Sequence, residues 1–309
     1  MTMSDPRDIK IIGDSSPIRD LRGFIPKVAA HDCSVLIRGE TGTGKERIAE
    51  AIHRCSARRD APLVAINCAA IPDTLLESEL FGYEKGAFTG ANIRYEGKLK
   101  AASGGTLFLD EIGDMTPLCQ AKILRAIENK ELYHVGSSVR QSLDVRIVAA
   151  TNQDLQPMLA RNAFRKDLFY RLNVVSIHLP PLRERREDIP LLLDYYVRLF
   201  NARFKGCVEG FTPNAMAALL RYDWPGNIRE LRNLIELIFV DPPRVVAFDA
   251  LPGHIQDAPP SPGPADEKRE LIAALVATNW NKSRAAERLH WSRMTVYRKI
   301  DKYNLHEEP

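Results

Sequence analysis

Two clusters in the sequence carry the residue types needed for phosphate chemistry. In VLIRGETGTGKE, residues 35–46, Gly39-x4-Gly44-Lys45 follows a short apolar run and precedes a helical pattern. Glycines at this spacing let backbone N–H groups turn inward around phosphate oxygens. A helix opening near Lys45 adds its positive dipole end, and Lys45 brings a point charge to the β and γ phosphates. Gly39, Glu40, Thr41, Gly42, Thr43, Gly44, Lys45 and Glu46 are therefore nucleotide-binding candidates. Such loops usually carry Ser or Thr after the lysine as a magnesium ligand. Glu46 stands there instead, able to approach a cation but also to repel phosphate, so its role stays open. The second cluster is GGTLFLDE, residues 104–111, in which four strand formers deliver Asp110 and Glu111 to a strand end. At the carboxyl edge of a parallel sheet, Asp110 is placed to hold Mg2+ through water and Glu111 to orient and deprotonate an attacking water. The alternative for the first string is a Gly-rich turn, which its strand–loop–helix context and lysine disfavour; the second alone reads equally as a solvated acidic turn, and together they point to cleavage of ATP.

The elements that must position these residues are legible as alternation. Residues 34–37, 63–67, 106–109, 145–150 and 174–177 read as buried strands. Residues 45–55, 74–80, 118–128 and 164–172 read as helices between them. Strands alternating with helices imply an α/β fold with a parallel sheet covered on both faces. After Pro180-Pro181 the strand signals stop, and helices at 188–200, 213–222 and 228–240 form an all-α lid. The expected organisation is a short extension at 1–10, an α/β subdomain at 11–180 and the lid at 181–251. A proline-rich, extended linker follows at 252–265, then a helical domain at 266–309.

Composition narrows the class. The 309 residues are 45% hydrophobic and 27% charged, with a net charge of +3. The five cysteines form no CxxC pair, which argues against zinc knuckles and disulfide frameworks and for a reducing cytoplasm. No apolar run is long enough for a transmembrane helix or a signal peptide.

The chain resembles the bacterial enhancer-binding proteins, the AAA+ activators of sigma-54 RNA polymerase, from about Ile11 to Leu305. The matching strings are GETGTGKE at 39–46, GAFTGA at 86–91, AATN at 149–152, FRKDLFYRL at 164–172, LPPLRER at 179–185 and WPGNIREL at 224–231. Glu46 is thus a feature of the family. GAFTGA also has its own physical reading: Gly86 and Gly90 permit turns closed to other residues, which pushes Phe88 and Thr89 to a loop tip. Outside this context, a hairpin with Phe88 folded into the core would be the simpler reading. The resemblance implies that Gly86, Ala87, Phe88, Thr89, Gly90 and Ala91 touch the sigma-54 holoenzyme when ATP turnover raises the loop. It further implies that Asn67 links Glu111 to that loop and that Asn152 senses the γ-phosphate. Arg165 and Arg171 match arginine fingers inserted into a neighbour's site, so a ring, read as a hexamer, is expected. Arg229 matches a second sensor on the lid. Lys100 departs from the family, which has Glu there. Only about ten residues precede the ATPase region, where many members of the family carry a receiver or ligand-sensing domain; the expectation is a chain that is either constitutively competent or, as the favoured reading, restrained and released by a regulatory protein in trans.

Residues 281–305 carry seven basic residues against two acidic ones, a local +5 that exceeds the charge of the whole chain. Two short helices, 282–289 and 293–303, fit around a turn at His290-Trp291, with Ala285 and Ala286 allowing close crossing and Val296 and Ile300 facing the core. The segment is similar to Fis-type helix-turn-helix domains. Ser292, Arg293, Thr295, Arg298 and Lys299 are the candidate contacts to enhancer DNA. A basic bundle without a DNA role is the alternative for this segment. For the whole chain, the alternatives are an AAA+ machine with another task and a DNA-binding regulator with a vestigial ATPase.

Overall fold

In a computed structural model, residues 11–257, 264–289, 291, 293–303 and 305 are described. The chain divides into two compact units, residues 1–251 and 252–309. In chain order the strands are β1 (Val35–Arg38), β2 (Leu63–Asn67), β3 (Thr106–Asp110), β4 (Glu131–Leu132), β5 (Gln141–Ser142), β6 (Arg146–Thr151), β7 (Val175–His178), β8 (Gly210–Phe211) and β9 (Val245–Val246). The main sheet has five parallel strands in the order β2-β3-β6-β1-β7. Its central strands β3 and β6 are buried along almost their whole length, while edge strands β2 and β7 are partly exposed. That distribution explains the unbroken apolar strings that mark the central strands in the sequence.

Strand alternation splits the core in two. Leu107, Leu109, Ile147, Ala149 and Leu36 face one cluster, and Phe108, Val148, Ala150, Val35 and Ile37 face the other. The first is covered by α3 (Asp73–Phe81) and α5 (Pro117–Asn129), through Leu76, Leu80, Ile123 and Leu124. The second is covered by α1 (Ser16–Ala29) and α2 (Lys45–Arg54), through Ile18, Leu21, Ile25, Val28, Ile48 and Ile52. Helix α1 has no counterpart in the sequence reading. Gly23 and Pro26 lower its local propensity, but the apolar stripe at 18, 21, 25 and 28 has a helical period and finds a face to bury.

Several boundaries differ from expectation. Short helices α4 (Gly97–Ala101) and α6 (Leu155–Ala160) occupy stretches to which the sequence pattern assigns no element; in α6 the Asp154 carboxylate accepts from the Gln156 N–H as an N-cap. Helix α7 (Lys166–Leu172) starts two residues late, because Phe164 turns into the core and leaves Arg165 extended as its N-cap. The lid comprises α8 (Ile189–Phe204), α9 (Pro213–Arg221) and α10 (Asn227–Ile238). It is not purely helical. β8 and β9 pair in parallel, since Glu209 N–H donates to Arg244 O and Thr212 N–H to Val246 O. Two-residue strands this far apart leave no periodic trace in sequence.

In the second unit, α11 (Gly253–Gln256) makes one helical turn inside the stretch expected to be extended. Helices α12 (Pro264–Ala277), α13 (Lys282–Arg288) and α14 (Arg293–Lys302) then enclose Leu271, Leu275, Ala285, Ala286, Val296 and Ile300. The Asn281 side chain caps α13 by accepting from the Arg284 N–H.

Candidate functional site

Four neighbouring strands, β2, β3, β6 and β1, end at one edge of the sheet, and their register decides which residues meet. Arg38 stands opposite Thr151, which sets Gly39 beside Asn152, and Asn67 stands opposite Asp110. The loop after β1 closes on this edge: Gly39 N–H donates to Thr151 O at 3.2 Å, and Gly42 and Gly44 take the left-handed backbone (φ 80° and 103°) that a side chain would resist. Lys45 opens α2 and is buried. Its Nζ reaches Glu111 Oε1 at 3.2 Å and Gly39 O at 3.0 Å. The second carboxylate oxygen of Glu111 accepts from the Asn152 N–H at 2.9 Å, and the Asn152 Nδ2 donates to Thr41 Oγ1 at 2.9 Å. Glu111 itself sits at φ 50°, a left-handed conformation that turns its side chain back over the loop. Burial, with Glu111 alongside, pushes the Asp110 carboxyl above its ordinary range. Thr41 to Lys45, Asp110 and Glu111 border a cleft of about 380 Å3 that also takes in Ile11, Tyr196 and Arg229.

The structure thus brings Gly39 to Lys45, Asp110, Glu111 and Asn152 together. Glu46 faces the cleft rim and is exposed. Asn67 departs from expectation. It makes no hydrogen bond to Glu111 among the described residues; its Nδ2 points to Asp110 Oδ2 at 3.4 Å, and its Oδ1 accepts from the Ala69 and Ala70 N–H groups. The strand register pairs Asn67 with Asp110, while both Glu111 oxygens are taken by Lys45 and Asn152. Arg165 and Arg171 lie on the exposed side of α7. Arg165 forms a bidentate pair with Asp167 (3.1 and 2.7 Å), whereas Arg171 has no side-chain partner among the described residues.

The Gly86–Ala91 loop closes on itself through Gly86 N–H to Ala91 O at 2.8 Å, with Gly86 and Gly90 at φ 86° and 102°. Thr89 is exposed. Phe88 is 42% exposed, its ring edge-on to Tyr83 at 4.9 Å. Phe88 therefore neither folds into the core nor stands free. A support missing from the sequence reading lies below: the buried His134 Nδ1 meets Glu84 Oε1 at 3.1 Å, and Glu84 N–H donates to Val135 O. The loop so rests on the β4–β5 hairpin. Lys100, on α4, is half-buried.

On the lid, Arg229 lies at the cleft, its N–H 3.3 Å from Gly42 O. Arg183, Arg185 and Asn227 also reach the phosphate loop, and the sequence reading gave them no role. In the second unit, α14 carries Arg293 and Arg298. The Lys299 Nζ lies 4.9 Å from the Trp291 ring centroid. Thr295 is 3% exposed, so it is withdrawn from the DNA-contacting set: its position on α14 turns it into the packed unit beside Val296. Ser292 and the turn residue His290 lie outside the described residues.

Comparison with known proteins gives this geometry a family. Residues 11–178 match the sigma-54 interaction domain, 183–268 the AAA+ ATPase lid domain, and 264–303 the Fis family of bacterial regulatory proteins. The transcriptional regulatory protein ZraR of Salmonella typhimurium is 49% identical over 306 residues, covering 94% of this chain and 68% of that protein. The putative uric acid sigma-54-dependent transcriptional regulator UacR of Escherichia coli is 44% identical over 325 residues, covering 97% and 55%. Crystal structures of NtrX from Brucella abortus, one in complex with ADP and one with ATP, superpose at a TM-score of 0.76 with 36% identity, covering 96% of this chain and 70% of that one. The parallel sheet with its lid is accordingly the AAA+ fold, and the chain belongs to the sigma-54-dependent transcriptional regulators, with a Fis-type helix-turn-helix following its ATPase and lid domains.

Proposed function

We propose that the chain hydrolyses ATP in a ring oligomer, a hexamer, and uses the turnover to remodel sigma-54 RNA polymerase from enhancer DNA. The observation that carries this reading is the convergence of Lys45, Glu111 and Asn152 on the mouth of the glycine-rich loop. Lys45 leaves its carboxylate partner to meet the β and γ phosphates. Glu111, released from Lys45, accepts a proton from the attacking water, and Asn152 reports the terminal phosphate through Thr41 and Glu111.

The residues fit Mg2+. Mg2+ is commonly held by one or two carboxylates together with phosphate oxygens, and Asp110 and Glu111 lie beside the phosphate loop. Asp110 is the residue that would hold it, and a cation there would favour the charged carboxylate that burial, with Glu111 alongside, disfavours. When bound, Mg2+ supplies charge stabilisation to the transferring phosphoryl group. Arg165 and Arg171 reach a neighbour's site, where a guanidinium stabilises the same developing charge.

Phe88 and Thr89 form the output. An aromatic ring left 42% exposed on a glycine-flanked loop gains most when a partner covers it. Thr89→Ala is expected to lower ATP-dependent open-complex formation by sigma-54 polymerase about tenfold or more, the scale for losing a central interface contact. ATPase activity should stay near wild type. Unchanged open-complex formation would remove the loop from the mechanism.

Arg293, Arg298 and Lys299, all within α14, are the candidate contacts to DNA. If about four phosphates are neutralised, affinity should fall about 100-fold between ~50 and ~200 mM salt. A flat salt response in a gel-shift titration would argue for a bundle that does not bind DNA.

A further inference from the structure

The phosphate loop is gripped from behind by the lid. Asn227 stands at the N-terminus of α10, fully buried and at φ 53°. Its Nδ2 donates to Thr41 O at 3.0 Å and to Glu40 Oε2 at 3.2 Å, and its Oδ1 accepts from the Leu182 N–H at 2.7 Å. The next carbonyl of the loop, Gly42 O, accepts from the Ile228 N–H at 3.0 Å. The one after, Thr43 O, accepts from Arg185 Nη2 at 3.1 Å. Arg183 closes the grip with a bidentate pair to Glu40, at 2.8 and 2.5 Å, and holds that carboxyl below its ordinary range. Three successive carbonyls of the loop are thus turned outward into the lid.

That orientation has a consequence for the opposite side of each peptide. In a planar trans peptide the C=O of one residue and the N–H of the next point in opposite directions. Pinning Thr41 O and Thr43 O to the lid therefore turns the Gly42 and Gly44 N–H groups toward the cleft, and neither donates to a backbone carbonyl among the described residues. Close approach is part of the fit, since a Cβ on Gly42 would lie 2.2 Å from Gly226 O.

We propose that Asn227 and Arg183 are positioning residues that hold the phosphate loop in its anion-receiving shape before nucleotide arrives. This rests on the nucleotide-binding reading above and deepens it. Neither residue touches phosphate. They act through the carbonyl of Thr41 and through Glu40, so the grip links the position of the lid to the affinity of the loop. A preorganised cradle binds without first ordering itself, and this is the part of the affinity the grip supplies.

The test uses the full chain, with ATP and Mg2+ followed by calorimetry. Asn227→Gly keeps the left-handed backbone and removes only the side-chain bonds. Arg183→Lys keeps the charge and loses the fork. Asn227→Gly is expected to weaken ATP binding about tenfold, and Arg183→Lys about threefold, by loss of preorganisation. KM should rise in step, with kcat at saturation within about twofold of wild type. Hydrogen exchange supplies a readout that a merely structural role would not move. Without nucleotide, the peptide spanning 39–46 should exchange faster in Asn227→Gly than in wild type, and saturating ATP should abolish the difference. Should Asn227→Gly fail to fold, Arg183→Lys carries the same three measurements. Wild-type affinity and exchange in the variants would overturn the grip alone, as would a fall in kcat with KM unchanged. Absence of ATP binding in the wild-type chain would overturn the functional reading and the grip with it.

Discussion

Glu111→Gln should bind ATP and fail to cleave it. The substitution keeps the shape of the side chain, its left-handed backbone position and an oxygen that accepts from the Asn152 N–H at the 2.9 Å seen for Glu111. What it removes is proton affinity. A positioned general base is worth about 10²–10⁴ in rate, so kcat should fall by at least ~100-fold. Binding should be undiminished, because the ion pair that holds Lys45 Nζ 3.2 Å from Glu111 must be given up when phosphate arrives, and the variant lacks it from the start. Equilibrium binding beside steady-state phosphate release separates the two effects. Turnover within tenfold of wild type would mean that another group takes the proton.

The second large effect concerns Arg171. Exposed on α7 and without a side-chain partner among the described residues, it is available to a neighbouring subunit in a way that Arg165, paired with Asp167, is not. Arg171→Ala should therefore bind ATP normally and lose hydrolysis by about 10³-fold, the range for removing a finger. Mixing decides whether the finger acts in trans. In a ring of Glu111→Gln and Arg171→Ala chains, some sites combine an intact Glu111 from one chain with an intact Arg171 from its neighbour. Equal mixing should restore about a quarter of wild-type activity if chains assemble at random around a closed ring. An equimolar mixture as inactive as its components would place the finger in its own chain or outside the chemistry. Arg165→Ala should cost less, since Arg165 must first leave Asp167.

These two predictions draw on different kinds of information. The glycine-rich loop and the Asp110-Glu111 pair were legible because each is a local string. Chemistry that depends on residues a few positions apart is written in one stretch of chain. The central strands were legible for a related reason: burial on both faces demands unbroken apolar runs, as in β3 and β6. Helix α1 and the β8–β9 pair escaped, since the first runs against local propensity and the second is too short to show a period.

The partners across the sheet edge were not legible. Asn67 was expected to serve Glu111, but strand register sets it opposite Asp110. Thr295 looked like a DNA contact in a basic string; only the folded unit shows that it is buried on α14. The lid's hold on the phosphate loop lay furthest out of reach. Glu40 and Arg183 are 143 positions apart and Thr41 and Asn227 are 186 apart.

The sequence by itself determined which groups are candidates for the chemistry, because residue type and local spacing decide what can bind phosphate, carry Mg2+ or take a proton. Only the tertiary structure decided how those groups are held. Register and bonds between distant segments depend on the path of the backbone, and the residues that path joins share no local pattern in the sequence.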